Sequence, residues 1–558
     1  MVDSMWRTSL AGIQTITLMC VIQGFIAPAA DAETPAANDN GEQCRVIINY
    51  DEFNLFRYQG RWLAAHLERE PTPVEVKELL EHIVDQHAEA GVDRLVHCIF
   101  SLPWGVSTDG YETFIRAPKR GWIEAVPGMA GFEDAGYEFL QFLIDRSHQK
   151  GMQFLAGLRM NDRHPNAGEQ PFFKEHPEWH LGPNYPGALD YKHEGVRDTV
   201  LAVAEETLSR YDVDGIELDW MRHCLVFKPN EAEKHAPLLN DFIAKMREVV
   251  DEAARRKGVD KLLLGVRVPQ TIEECQILGF DLQSWAQSGV DYICPADFHC
   301  IDFNIKVDEF VELTRGTSCE LYPSIYGTLS IGGSTRRGLT HEQFRAAANN
   351  YYAFGAQGVS PYNFYTQFMI FPGNEFGKAP PEFLLDEWPK ALGYLTALRD
   401  PEAVARGDKH YLFYPLHPGH AVTGVRKHQV IELARDQGET SGSTRLRMAD
   451  DLSSPKLSAT LEIKVAGMVE NDELEVALNG TPYARENVRR EFDADGQTKE
   501  EGRPIAPFYL YRVELASPPA VFGDNQLQLR LTNSAGGAQL VAQEFEIWVR
   551  NVKNVNGE

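Results

Sequence analysis

The chain has 558 residues, with 81 acidic against 54 basic side chains and a formal charge of −27. Its 43% hydrophobic content and nine Trp exclude a disordered, collagenous or coiled-coil protein, and so long a chain divides into about two or three domains. The acidic balance argues against nucleic acid and anionic membrane surfaces as partners, because both are bound through Lys and Arg.

In chain order, residues 1–32 read as an export signal. Arg7 supplies the basic start, Leu10 to Pro28 the apolar stretch, and Ala30-Asp31-Ala32 a small-x-small cleavage site. The expected location is secreted or periplasmic, with no membrane contact after cleavage. Removal of this segment leaves a charge of −26 and seven Cys (Cys44, Cys98, Cys224, Cys275, Cys294, Cys300 and Cys319). An odd number at irregular spacing, with no CxxC, is not a disulfide framework or a zinc pattern. A structural role is expected for each, with room for one or two disulfides.

Residues 33–43 (ETPAANDNGEQ) are a polar linker. Apolar runs and helical patterns then alternate. The predicted strands are Arg45–Asp51, Arg94–Ser101, Gln153–Met160, Gly215–Trp220, Leu262–Val268, Asp291–Asp297, Leu321–Tyr326 and Gly358–Phe364. Helices are predicted over Pro73–Ala90, Tyr137–Lys150, Val196–Tyr211 and Glu231–Lys257, and one over about 340–354 with a Thr340/Gln343 capping box. Eight strands, mostly apolar and each followed by a helix, fit a (β/α)8 TIM barrel over 44–405 with long loops at 102–135 and 161–195. An open doubly wound sheet is the alternative, but no GxGxxG and no GxxxxGK motif follows a strand.

From 406 to 552 the text changes to short alternating runs such as KLSATLEIKV and NQLQLRLT, which read as an antiparallel β-sandwich of jelly-roll type. Residues 406–558 carry 18 basic and 22 acidic groups, so about −22 of the charge belongs to 33–405. Two roles are open for the sandwich, carbohydrate binding or a structural lid on the barrel.

Barrel active sites lie at the C-terminal ends of the strands. In the fourth strand (DGIELDW, 214–220), alternation puts Ile216 and Leu218 on the helix side and turns Glu217 and Asp219 to the axis. Two carboxylates there are costly unless function or a cation holds them. Other strand-end groups converge on the same end: Asn49, Asp51, His97, Arg159, Asn161, Asp162, Arg222, His223, Arg267, Asp297, His299, Tyr326, Tyr362 and Asn363. With Trp104, Trp179, Trp220 and Tyr322, this mixture suits a sugar, whose C–H faces stack on aromatic rings and whose hydroxyls meet polar groups. Glycosidic cleavage needs two carboxyl groups, and Asp219 and Asp297, on strands four and six, are the candidate pair. Glu217 is read as a buried partner orienting an Arg or a hydroxyl. His97 stands open between a core histidine and a substrate contact.

The segments HPEW (176–179), LDYKHEGVRD (189–198) and YDVDGIELDWMRH (211–223) resemble the bacterial glycosyl-hydrolase-like proteins named for similarity to family ten, and more distantly the α-galactosidase-type barrels. In these a Leu-Asp-x-x-x-x-x-Val-Arg segment opens the helix before a strand ending in Asp-Gly-x-x-x-Asp. The α-galactosidase likeness implies Asp219 as nucleophile and an Asp after strand six, here Asp297, as acid/base. The string also resembles the chitinase motif Asp-Gly-x-Asp-x-Asp-x-Glu, but Met221 stands where that acid belongs, which argues against a chitinase mechanism. The resemblance covers the barrel and not 406–552.

The sequence thus leads to a secreted glycoside hydrolase of a polysaccharide or oligosaccharide, with no cofactor and no metal. Asn49, Asp51, His97, Arg159, Asn161, Glu217, Arg222, His223, Arg267, His299, Tyr326 and Tyr362 are expected to bind substrate. Two alternatives stay open: a non-catalytic carbohydrate-binding barrel, and a metal-dependent hydrolase using His223 and His299 with Asp219 and Asp297. The acidity disfavours long-range steering of a polyanionic glycan, so a neutral glycan is expected.

Overall fold

The computed structural model describes residues 43–50, 54–102, 127–162, 171–185, 187–221, 223–297, 301–331, 335–364, 388–414, 429–435, 440–493, 508–534 and 539–552. Nine parallel strand segments form one sheet. In chain order these are β1 Ile47–Tyr50, β2 Arg94–Ser101, β3 Gln153–Arg159, β4 Gly215–Asp219, β5 Leu263–Pro269, β6 Tyr292–Ala296, β7 Glu320–Leu321, β8 Ser324–Tyr326 and, after a β9–β10 hairpin (Thr328–Ile331 and Thr335–Gly338), β11 Ser360–Tyr362.

The sheet order is β7-β6-β5-β4-β3-β2-β1-β11-β8. Its two ends, β7 and β8, are successive pieces of one strand, so the sheet closes on itself as a barrel of eight strand positions. The break falls at Tyr322-Pro323. Proline has no N–H for the ladder, and here the strand changes partner: Tyr322 N–H donates to Ile293 O at 3.0 Å, while Pro323 O accepts from Ser360 N at 3.0 Å.

The helices follow from period and capping. Pro73–Glu89 starts at a Thr72/Glu75 capping box and buries Val76, Leu80, Ile83 and Val84 against the sheet. Glu194–Arg210 runs into β4, and Ala232–Lys257 ends at Gly258, whose φ of +69° is left-handed. The expected Thr340/Gln343 box is present and opens His341–Ala353. Short helices at Ile272–Ile277, Leu282–Gln287 and Val307–Thr314 fill the later crossovers. No described helix is long and apolar enough to cross a membrane.

Two apolar layers hold the barrel. Outward residues such as Ile48, Phe154, Ile216, Leu218 and Val266 pack under the helices. Inside the barrel, Ile47, Val96, Leu155, Tyr292, Cys294 and Tyr322 form a separate plug. The plug fills the lower part of the barrel and leaves polar side chains above it, toward the C-terminal ends of the strands.

Beyond the helix Pro401–Arg406 the chain is antiparallel. One sheet runs β12 (Lys409–Phe413), β21 (Leu540–Asn551), β15 (Leu457–Ala466), β19 (Phe508–Glu514), β18 (Val488–Asp493), with β13 (Ile431–Leu433) also on β21. The other runs β14 (Ser441–Met448), β20 (Gly523–Asn533), β16 (Glu473–Leu478), β17 (Thr481–Pro482). Burial alternates along β15 and β20, as in strands with one face on a core. The fold is a (β/α)8 barrel followed by a β-sandwich.

Candidate active site

Strand register lines up three charged side chains in one layer: Arg159 pairs with Asp219, and Asp219 with Arg267. Residues paired in this way across parallel strands point to the same side. Alternation from Ile216 and Leu218, both in the helix-side core, turns Asp219 and Glu217 inward as expected.

Arg267 Nη1 donates to Asp219 Oδ1 at 3.0 Å, and Nη2 donates to the backbone oxygen of Asp297 at 3.3 Å. Its guanidinium also lies over the Tyr362 ring, 3.7 Å from the centroid, within cation–π range. Burial works against its charge, but Asp219, Tyr362 and Glu217 outweigh that and hold it above the ordinary arginine value. Asp219 Oδ1 accepts in addition from the Met221 N–H at 2.9 Å. One side chain thus ties strands four, five, six and eight at their functional ends.

One layer down, Glu217 has no exposed surface, whereas the Asp219 side chain keeps 9%. Glu217 Oε1 accepts from Asn49 Nδ2, and Oε2 accepts from the Tyr292 hydroxyl at 3.0 Å. Burial, then the charge of Asp219, pushes the Glu217 carboxyl up to about 7, against the pull of Arg267, Tyr292 and Asn49. Tyr292 reaches Glu217 across Gly265, where a Cβ would fall 2.0 Å from the ring carbon Cζ. Glu217 and Asn49 are therefore hydrogen-bonded to each other, one layer below Asp219.

A second cluster sits on strands two and three. Asp162 Oδ2 accepts from Ser101 Oγ at 2.8 Å and from Arg159 Nη1 at 3.0 Å. His223 Nδ1 stands 3.8 Å from Asp162 Oδ1 with its side chain 21% exposed. Arg159 and His223 are thus brought together through Asp162. Tyr326 and Tyr362 face each other at 5.8 Å on neighbouring strands. Asp297 is buried at the end of β6.

Several expectations need correction. His97 points to the helices, with its ring against Phe56, Phe139 and Phe154, because Val96 beside it takes the inward position. Asn161 donates to Leu189 O and Leu225 O, both at 3.0 Å, and accepts from Leu189 N at 3.1 Å. Its amide is spent on joining loop backbones, not on substrate. Trp220 is fully buried among Tyr191, Phe242, Phe280 and Trp285. Tyr322 belongs to the lower plug, its hydroxyl donating to Glu320 at 2.6 Å. Trp179 stacks on His176 at 3.7 Å and lies against Gly195, so it packs the base of its loop. Asp51, Arg222, His299 and Trp104 lie outside the described residues. Among the described residues, no group of three or more His, Cys, Asp or Glu is placed to hold a metal.

Sequence reading missed Tyr292 and Ser101. For Tyr292 the usable signal was Gly265, an inward position on β5 with no side chain of its own. Ser101 carries no signal beyond ending its strand.

A closed (β/α)8 barrel with a carboxylate, arginine and tyrosine cluster at its C-terminal rim defines the class of barrel proteins that place their chemistry on strand ends. Within that class, residues 74–227 match the family described as glycosyl hydrolase-like 10. The match contains Arg159, Asp219 and His223 and ends before Arg267 and Asp297. Glycosyl hydrolase DigH of Escherichia coli (strain K12) is 27% identical over 219 residues, 35% of this chain and 46% of that protein. Glycosyl hydrolase YngK of Bacillus subtilis (strain 168) is 31% identical over 117 residues, 19% of this chain and 22% of the relative. The chain thus spans less than half the length of these relatives. Among solved structures, a noncanonic maltogenic alpha-amylase AmyB from Thermotoga neapolitana aligns over 72% of this chain and 88% of its own at 14% identity, with a TM-score of 0.34.

Proposed function

We propose that the protein is an exported glycoside hydrolase acting on a polysaccharide or its oligosaccharides. Asp219 is the nucleophile or electrostatic stabiliser, and Asp297 the general acid/base. The observation that carries this reading is the Arg267 clamp, which joins the Asp219 carboxylate to the Asp297 backbone at the open end of the barrel. The glycosyl-hydrolase-like match over 74–227 supports the substrate class.

In this reading Arg267 and the Met221 N–H hold the Asp219 carboxylate oriented toward developing positive charge at the anomeric carbon. Asp297 delivers its proton to the leaving oxygen. Strand spacing of about 4.8 Å sets β4 and β6 about 10 Å apart. That spacing lies near the upper end of the range for an inverting pair. Arg159, His223, Tyr326 and Tyr362 line the same end and bind hydroxyl groups or ring faces. Export rests on the basic, apolar and Ala-x-Ala pattern of residues 1–32, which lie outside the described residues.

The ion pair itself favours a second reading. A carboxylate held by a buried arginine is also what a barrel that binds glycan without cleaving it would retain. Release of reducing ends from a panel of polysaccharides, neutral ones first, separates the two. Hydrolysis by the wild type, with Asp219→Asn and Asp297→Asn each reduced at least about a hundredfold, supports the enzyme. Binding without cleavage supports the second reading, and full activity of both variants rejects the assigned pair.

A further inference from the structure

Residues 301–305 follow Asp297 out of β6, form no helix or strand, and are nonetheless buried throughout. A buried loop must find partners for its backbone groups. Here several come from the C-terminal sandwich. Ile301 N–H donates to the Tyr414 hydroxyl at 3.0 Å, and that hydroxyl donates to Ile301 O at 2.8 Å. Gln429 Nε2 donates to Asp302 Oδ1 at 2.8 Å. Asn350, from the helix His341–Ala353, donates to Phe303 O at 3.2 Å and to Arg447 O of β14 at 3.0 Å.

Asn304 completes the attachment. Its amide donates to Arg445 O and accepts from Arg447 N, each at 2.8 Å, and Asn350 Oδ1 accepts from Ala449 N at 2.8 Å. β14 is the edge strand of its sheet, and these two asparagines take the bonds a further strand would make. The chain leaving β6 is therefore held at Asp297 by Arg267 from inside the barrel and at 301–304 by the sandwich.

We propose that the sandwich is a working part of the active site, and that Tyr414 is a positioning residue for Asp297. This rests on the reading of Asp297 as acid/base. A general acid displaced by a fraction of an ångström loses much of its effect, and backbone anchors at Asp297 and at Ile301 oppose that displacement.

The test compares two substrates of the full-length protein: the polysaccharide the wild type cleaves, and a dinitrophenyl glycoside of the same sugar, whose leaving group departs without a proton. Tyr414→Phe is expected to lower kcat on the polysaccharide about tenfold with KM within about twofold, and to leave the aryl glycoside rate nearly unchanged. Where that variant fails to fold, Gln429→Ala carries the same expectation. Asn349→Ala removes a bond to Tyr411 elsewhere in the interface and should leave kcat on both substrates where it was.

Equal losses on both substrates, or the same loss in Asn349→Ala, overturn the positioning role, as does wild-type kcat in Tyr414→Phe when Asp297→Asn is inactive. Full polysaccharide activity in Asp297→Asn instead overturns the acid/base reading, and the role of Tyr414 falls with it.

Discussion

Arg267 and Asp219 face each other from neighbouring strands, Nη1 3.0 Å from Oδ1, and both are nearly sealed from water. Among the described residues neither charge has a second ion-pair partner, and Arg267 spends its second nitrogen on the Asp297 backbone. Removing one partner of such a pair leaves the other charge buried and uncompensated, which costs about 3 kcal/mol or more. Arg267→Met should therefore lower unfolding free energy by about that amount in urea titration and lower kcat/KM at least about a hundredfold. Arg267→Lys keeps the charge but cannot reach both oxygens, and should fall between the two.

Glu217 gives a pH dependence of definite sign. Its folded carboxyl sits at about 7, against an ordinary 4.5, so the native state keeps a proton that the unfolded chain releases. The stabilisation is complete below 4.5 and is lost as pH rises through about 7, a swing of about 3 kcal/mol. Glu217→Gln has the shape of the protonated acid, with its oxygen able to accept from Asn49 and its Nε2 able to donate to the Tyr292 hydroxyl oxygen. Its stability relative to wild type should rise between about pH 5 and about pH 8, read by urea unfolding at each pH. A difference that stays flat over that interval would show that Glu217 ionises normally.

Gly265 is the opening through which Tyr292 reaches Glu217. A Cβ there falls 2.0 Å from the tyrosine Cζ, and the fully buried ring has no free side to move toward. Gly265→Ala should destabilise the protein by about 2–3 kcal/mol, through overpacking and the lost Tyr292–Glu217 bond. Thermal unfolding measures this, and an unchanged midpoint would contradict the placement of the ring.

Asn161 separates a structural from a substrate-binding role. Asn161→Ala removes three bonds to the backbones of Leu189 and Leu225, leaving buried groups unpaired at a cost of about 2–3 kcal/mol. At temperatures where the variant stays folded, KM should not change. A raised KM at unchanged stability would return Asn161 to the list of substrate contacts.

The barrel and the inward face of β4 were readable from the sequence because β4 offers two aliphatic residues interleaved with two carboxylates, which allows one parity only. His97 shows the limit of that argument. Its strand, RLVHCIFS, carries apolar residues on both faces, so alternation has two equivalent solutions until Val96 is seen in the barrel plug. Asn161 stands where a ligand-reading residue would stand, and nothing local distinguishes an amide facing a cleft from one joining two loops. Arg267 was legible as a strand-end cation, but its second bond depends on the Asp297 backbone, which a sequence does not display. The contacts of Asn304 and Asn350 with β14 span about a hundred residues or more of chain and leave no pattern of any period.

Those two asparagines also bear on how the protein can be taken apart. An edge strand with unpaired backbone groups recruits other strands and promotes self-association. On a sandwich expressed alone, Arg445, Arg447 and Ala449 would present such an edge to solvent. On a barrel expressed alone, the amides of Asn304 and Asn350 and the backbone of Ile301 would lose their acceptors and donors together. The two folds are thus not interchangeable modules joined by a tether. Grafting another sandwich onto this barrel would require matching a short stretch of edge backbone to two side chains, a constraint that couples the sequence history of one half to the other.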